Sequence, residues 1–118
     1  LNKIGLKIKN VWRDSAKKNN LKITIQGINP LANFKLHTKN WPATLTFFIQ
    51  EMLKKNILAS DRCYANLMHN DKSIRIYKKA CMETFKKISV LEKTDNIKKY
   101  LKGPVKQMGF KRLTNKNT

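Results

Sequence analysis

The chain has 118 residues, of which 41% are apolar and 28% charged. That length fits one domain, and the apolar fraction is sufficient for a hydrophobic core. No apolar run approaches the ~18 residues that a membrane-spanning helix needs, so we expect no membrane association. Two cysteines and two histidines without a C-x-x-C pair exclude a disulfide scaffold and a zinc ribbon or finger. No charged-then-apolar leader opens the chain, which favours a cytoplasmic protein.

The charge is strongly positive, at +19 from 26 Lys and Arg against 7 Asp and Glu. Such a charge is typical of polyanion binders, because neutralised phosphates release counterions. However, 22 of the cations are Lys and only 4 are Arg, whereas specific phosphate and base recognition relies on the planar Arg side chain. Lys, Asn and Ile are abundant together and share AT-rich codons. Genome composition is therefore the favoured origin of the charge, and nucleic-acid binding stays as the alternative.

An amphipathic helix is predicted for residues 2–19. The pair Asn19 and Asn20 can end this helix, because Asn tolerates the left-handed conformation. Apolar or small residues recur at helical spacing and form one face: Ile4, Leu6, Ile8, Val11, Trp12 and Ser15.

An antiparallel hairpin is predicted next. Apolar and polar residues alternate over residues 21–26, which is typical of a half-buried strand. Turn residues follow at 27–30, and a second strand carries Phe34 and Leu36 on its apolar face. His37 lies on the polar face of that strand, so we expect a surface histidine without a catalytic role.

A second helix is predicted for residues 43–55, after Trp41 and Pro42, because Pro is favoured in the first turn of a helix. Asn56 can end it. The short apolar stretch 57–59 predicts entry into a strand, and residues 64–68 predict another strand. The apolar face of the helix comprises Leu45, Phe48, Ile49, Met52 and Leu53.

A long third helix is predicted from the cap at Asn70 and Asp71 to about Glu92. A short helix over residues 95–101, capped by Asp95, ends at Gly103 and Pro104. We expect residues 115–118 to be disordered. Apolar and small side chains form the long helix's buried face: Ile74, Tyr77, Cys81, Thr84, Phe85 and Ile88.

This order of elements predicts an α+β domain with a small antiparallel sheet of three to four strands covered by helices. The residues alone indicate no complete active site. There is no phosphate-cradling glycine loop, the carboxylates Glu51 and Asp61 are isolated, and Cys63 and Cys81 are predicted packing residues. His69 lies between a predicted strand and a helix cap, where ligands often bind; alternatively, it satisfies the helix start.

Residues 45–60 read LTFFIQEMLKKNILAS. This string resembles the small-domain helix and following strand of class III aminotransferases, where a motif of the form Q-E-M-L-x-x-G-[IF]-L is usual. Asn56 stands at the usual glycine position and can serve the same left-handed helix end. The matching residues are Gln50, Glu51, Met52, Leu53, Ile57 and Leu58.

Further stretches extend the resemblance to about residues 5–114. Residues 64–69, followed by Asp71 and Ile74, resemble the next strand and helix start, with Met68 in place of the usual Ala. Residues 25–34 resemble the family's hairpin. Residues 101–105 and 109–114 resemble a tail of the branch similar to glutamate-1-semialdehyde aminomutase. Several motifs in the same order are more specific than any one of them.

The resemblance implies the C-terminal small domain of a fold-type I, pyridoxal-phosphate-dependent homodimer that transfers amino groups. The cofactor would belong to a large domain preceding Leu1, and this chain alone would bind none. None of the 22 lysines matches the family's cofactor-binding lysine, so no catalytic or cofactor-binding residue is assigned here. Tyr64, Asn66 and His69 are the candidates to approach an amino-acid, keto or aldehyde substrate.

We therefore expect residues 1–114 to close one wall of an active-site cleft, in contact with the large domain and a second subunit. A stand-alone basic nucleic-acid-binding module and a catalytically inactive remnant are the alternatives. The amino donor and acceptor, and the choice between transaminase and aminomutase, stay open. An exposed apolar patch on residues 1–19 or on the hairpin would indicate the missing domain.

Overall fold

The computed structural model describes residues 2–27, 32–62, 70–94 and 96–105. Within these residues the chain forms helices around a small antiparallel hairpin, which confirms the α+β class. In chain order the elements are α1 (Asn2–Lys18), β1 (Ile23–Gln26), β2 (Asn33–Leu36), α2 (Trp41–Lys54), α3 (Asp71–Thr94) and a 3-10 helix (Ile97–Tyr100). None of the described helices combines the length and the apolar character that crossing a bilayer requires.

The long helix α3 packs against α1, and the two run in the same direction. Near their first turns, Lys7 Nζ lies 2.9 Å from Asp71 Oδ1. Further along, Trp12 Nε1 donates a buried hydrogen bond of 2.8 Å to Tyr77 Oη. From the first contact to the second, the residue numbers rise in both helices, so the helices are parallel. Both aromatic side chains are buried, which confirms the prediction that Trp12 and Tyr77 belong to the core.

The helix α2 packs on α3 in the opposite direction. At its start, the Lys39 backbone N–H donates to Glu92 Oε2 at 2.8 Å, close to the end of α3. At its end, Lys55 Nζ lies 2.8 Å from Glu83 Oε1, in the middle of α3. The long helix therefore carries α1 and α2 side by side, and the hairpin closes the core.

Phe34 on β2 occupies the centre of that core. Its ring centroid lies 4.8 Å from Trp12, 5.8 Å from Trp41, 5.4 Å from Phe48 and 5.7 Å from Phe85. These four rings come from α1, α2 and α3, so one strand residue contacts every long helix. Tilted and edge-to-face pairs contribute about 0.5–1.5 kcal/mol each beyond the burial of their surface.

The register of the hairpin puts its apolar side chains on this inner face. Ile25 pairs with Phe34 and Ile23 pairs with Leu36. Because side chains alternate along a strand, the intervening residues point away from the core. His37 is exposed on that outer side, so the prediction of a surface histidine is confirmed.

The sheet differs from the predicted three to four strands, since the described residues form two. The stretch 57–59 is itself irregular, and its Ile57 N–H donates to the Met52 carbonyl at 3.0 Å at the end of α2. Its entry into a strand stays a prediction. The predicted strand 64–68 lies outside the described residues.

A third segment nevertheless reaches the free edge of β2. Asn33 forms an isolated antiparallel bridge with Arg62, and the Phe34 N–H donates to the Asp61 carbonyl at 2.9 Å. The chain thus approaches the sheet just before residues 63–69, on the side away from β1.

The helix ends follow the predicted signals. Asn20 and Asn56 have φ values of 57° and 62°, the left-handed region. After α1, Leu21 N–H donates to the Ala16 carbonyl at 2.9 Å, which is the backbone pattern of a Schellman motif. Both predicted Asn stops are confirmed.

The starts of α2 and α3 are capped by asparagine side chains. Asn40 Oδ1 accepts from Ala43 N–H at 3.2 Å, with Pro42 in the first turn of α2. Asn70 Oδ1 accepts from Ser73 N–H at 2.8 Å, which confirms the predicted cap of α3. The last predicted helix is a 3-10 turn that follows Asn96, and Asp95 lies outside the described residues.

Two residues assigned to buried faces are exposed, namely Leu6 and Leu53. Each lies nearly opposite the buried side of its own helix, since successive residues turn by about 100°. On α1 the buried side centres between Ile8 and Trp12, and on α2 it centres between Thr44 and Phe48. The domain limits 1–114 and 115–118 stay predictions, because the described residues end at 105.

Replacing Phe34 by Ala should lower the free energy of unfolding by about 3–5 kcal/mol, because it leaves a cavity among four aromatic rings. Urea unfolding measures the change. Leu58→Ala, at an exposed position, is the matched control and should stay within about 0.5 kcal/mol of the parent. Equal losses for the two variants would contradict the central position of Phe34.

The left-handed conformation of Asn56 predicts a reversal in residue preference. Gly at position 56 should be more stable than Ala, because a Cβ is disfavoured there by about 1–2 kcal/mol. At Lys86, inside α3, Ala should be more stable than Gly by about 1 kcal/mol. Urea midpoints of the four variants test this, and the same preference at both positions would contradict the assigned helix end.

Candidate functional site

The residues predicted to approach a substrate, Tyr64, Asn66 and His69, lie outside the described residues, as does Cys63. Their described neighbours are Arg62, which is exposed, and the helix cap Asn70. The role of this segment therefore stays a prediction.

Cys81 lies fully buried in the core on α3. Burial raises the pKa of its thiol to about 12, and a hydrogen bond from Tyr77 opposes this only in part. A thiol with so high a pKa is not a nucleophile at neutral pH, because the thiolate is the reactive form. The prediction that Cys81 is a packing residue is confirmed. Across the described ranges, no three His, Cys, Asp or Glu side chains come together as metal ligands would.

A wide surface groove lies between α2, α3 and the 3-10 helix, with a volume of about 790 Å³. We call it the α2–α3 groove. Its floor is apolar and its rim carries lysines together with two carboxylates. The lining residues are Phe47, Glu51, Lys54, Lys55, Glu83, Lys86, Lys87, Val90, Leu91 and Tyr100.

Glu51 is a buried carboxylate in the lining of this groove, with a side chain only 4% exposed. Its Oε2 lies 2.7 Å from Lys54 Nζ on the same helix, and its Oε1 lies 3.0 Å from Lys87 Nζ on α3. Burial by itself would raise the pKa of Glu51, but hydrogen bonds from Lys54, Lys87 and Gln50 outweigh it and lower the pKa to about 2. Glu51 is therefore ionised throughout the physiological pH range.

The neighbouring Gln50 fastens the 3-10 segment to α2. Its Nε2 donates to the Tyr100 carbonyl at 2.7 Å, and its Oε1 accepts from the Lys102 N–H at 2.7 Å. One side-chain amide thus satisfies a backbone acceptor and a backbone donor two residues apart. This contact places the Tyr100 ring at the end of the groove.

The string Gln50–Glu51–Met52 therefore has a packing role at each position. Met52 is fully buried, and Thr84 Oγ1 on α3 lies 3.6 Å from its Sδ. Sequence reasoning treated Glu51 as an isolated acid and missed this site. The spacing of Glu51 and Lys54 was the available signal, since residues three apart share a helix face; nothing local indicated Lys87.

The chemistry of the groove is that of a binding surface. Glu51 does not act as a general acid near neutral pH, because its pKa lies far below the working range. Contact with Lys55 likewise lowers the pKa of Glu83. Apolar floor and charged rim together suit an amphipathic ligand.

Comparisons of the chain with family models, with curated proteins and with solved structures found no match. The similarity to class III aminotransferases therefore stays a prediction from the sequence.

Glu51→Gln should lower the free energy of unfolding by about 1–2 kcal/mol near neutral pH, because water around Lys54 and Lys87 screens the lost ion pairs. A carboxylate whose pKa is lower in the folded than in the unfolded state stabilises the fold at pH values above the unfolded-state pKa. This stabilisation is lost as the pH falls through the folded-state pKa. The difference between parent and variant should thus vanish between about pH 4.5 and 2. Urea unfolding across this range measures it.

The matched control is Glu83→Gln, which removes an exposed carboxylate paired with Lys55. The decrease in the free energy of unfolding should be smaller for Glu83→Gln than for Glu51→Gln, because exposed ion pairs contribute little to stability. A pH-independent difference between the parent and Glu51→Gln would contradict the assigned ionisation.

Proposed function

We propose that this chain is the C-terminal small domain of a class III, pyridoxal-phosphate-dependent aminotransferase or aminomutase, similar to glutamate-1-semialdehyde aminomutase. The observation that carries the proposal is the conformation of Asn56. At the position where the resemblance puts glycine, φ is 62° and α2 ends. A glycine in the motif thus has a physical reason, and this chain meets the same requirement with Asn.

The order of the elements gives further support. A helix, a hairpin, a second helix, a bridge to the sheet edge at Arg62 and a long capped helix follow one another. The resemblance implies that order for a small α+β domain. In this proposal the domain closes one wall of the cleft, and Tyr64, Asn66 and His69 approach the substrate.

The exposed apolar side chains modify one expectation. The patch expected on residues 1–19 or on the hairpin is not seen among their described residues, since Leu6 stands among lysines and the outer face of the two described strands is polar. Leu53 and Leu58 are instead exposed around the end of α2, Leu58 by 74%. They adjoin the segment that leads to Tyr64, so we place contact with the large domain there.

The described residues do not hold the cofactor by themselves. Pyridoxal phosphate would be bound through a lysine in a desolvated pocket, whereas no lysine in the described ranges is buried. The part of this chain is to orient the substrate and exclude water, while the large domain supplies the amino-transfer chemistry.

The first test is the DNA upstream of the Leu1 codon. We expect the reading frame to continue into a large domain with a cofactor-binding lysine, and the full protein to bind pyridoxal phosphate. A stop codon directly upstream would contradict this and favour the inactive remnant or the binding module.

Within the full protein, His69→Ala should lower kcat/KM for amino transfer at least tenfold, because the side chain adjoins the substrate in this proposal. His37→Ala is the matched control on the outer face of the hairpin and should leave kcat/KM within about twofold. Steady-state kinetics measures both, and equal effects would remove His69 from the cleft.

A basic nucleic-acid-binding module is the second candidate. In the described part of the chain, four lysines have ion-pair partners: Lys7, Lys54, Lys55 and Lys87. Most other cations are exposed on the outer faces of α1 and α3. Binding that discriminates between nucleic-acid sequences at physiological salt would support this candidate, whereas affinity that collapses with salt would reflect generic electrostatics.

A further inference from the structure

The floor of the α2–α3 groove exposes apolar side chains to solvent. Val90 on α3 and Tyr100 in the 3-10 helix are each 54% exposed. Leu91 and Phe47 also line the groove. The side-chain amide of Gln50 donates a hydrogen bond to the backbone carbonyl of Tyr100. The position of Tyr100 beside the groove is therefore fixed by a contact within the domain.

The rim of the groove has an excess of positive charge. Its two carboxylates already have partners, since Glu51 contacts Lys54 and Lys87, and Glu83 contacts Lys55. Lys86 makes no ion pair with any described residue. The four rim lysines thus exceed the two carboxylates, and a ligand that seats on the floor meets a cationic border.

We propose that the α2–α3 groove docks an acidic amphipathic helix from a separate protein. Its apolar face lies on Val90, Leu91 and Tyr100, and its carboxylates reach Lys54 and Lys86. The groove extends along α3 from residue 83 to 91, which is about 12 Å at 1.5 Å per residue. A partner helix of about three turns, with apolar residues at i, i+3 or i+4, and i+7, covers that length.

Charge favours an acidic helix in the groove over a second copy of this chain or the chain's own residues 106–118. A second copy of the chain would carry a further +19 onto a cationic rim, and like charges oppose such contact. Residues 106–118 hold four cations and no carboxylate, so they are repelled as well. A partner of opposite charge meets neither obstacle.

The inference goes beyond the proposed enzymatic role. None of the groove residues belongs to the segment 63–69, and the proposal concerns binding without cofactor or turnover. Failure of the docking test therefore leaves the aminotransferase proposal untouched, and the reverse also holds.

The test uses the full 118-residue chain and fluorescence anisotropy with designed peptides of about 16 residues, long enough to form a helix on the groove. The probe has Leu and Phe on one face and Glu elsewhere. One control peptide replaces each Glu by Lys, and a second scrambles the order of the acidic peptide. We expect the probe to bind at least tenfold more tightly than either control.

Variants locate the binding site. Val90→Asp and Lys86→Glu should each weaken probe binding at least tenfold. Matched controls on the same helix are Ile76→Asp, at an exposed apolar position outside the groove lining, and Lys72→Glu, about 21 Å from Lys86 along α3. Both should change affinity less than twofold. Because all four positions are exposed, the fold should persist, and circular dichroism checks it.

Four results with the full chain would overturn the proposal, and a fifth comes from a truncated chain. They are no binding of the probe, equal binding of the scrambled acidic peptide, equal effects of the Lys86 and Lys72 variants, or a dimer in solution that Val90→Asp dissociates. A chain ending at Val105 that binds the probe tenfold more tightly than the full chain would also do so, since it would assign the groove to residues 106–118.

Discussion

The ring of Phe34 is the point at which the hairpin and the three helices meet. Its side chain contacts aromatic residues from α1, α2 and α3, so each of the three helices packs against the same strand residue. The register of the hairpin is coupled to this contact. A slip of one residue would turn Phe34 to the solvent and bring Lys35 to the core.

Features that depend on local interactions could be predicted from the sequence, whereas contacts between distant residues of the core could not. Local signals were sufficient for the helix ends at Asn20 and Asn56 and for the cap at Asn70, because these residues act within a few residues of themselves. The cap at Asn40 was missed, so the second helix begins at Trp41 and not at residue 43. The alternation around Phe34 was sufficient for the hairpin. The direction of α1 relative to α3 left no such local signal, since it depends on pairs such as Trp12 and Tyr77 that lie 65 residues apart.

The candidate site was harder to predict for the same reason. Glu51 and Lys54 share a helix face and could be paired from their spacing, but Lys87 reaches the carboxylate only because α2 and α3 are antiparallel. Gln50 likewise contacts Tyr100 and Lys102, across about 50 residues of chain. Conversely, Leu6 and Leu53 show that an apolar residue near a helical stripe belongs to it only when its angle around the helix agrees.

The parallel contact between α1 and α3 has a consequence for biosynthesis. The apolar face of α1, with Val11 and Trp12, is translated before the residues that cover it. Tyr77 follows Trp12 by 65 residues, which takes about 3–13 s at ribosomal rates of ~5–20 residues per second. During that interval the first helix has neither its partner helix nor the hydrogen bond to its indole. It is therefore open to a chaperone for longer than α2, which lies nearer to α3 in the chain.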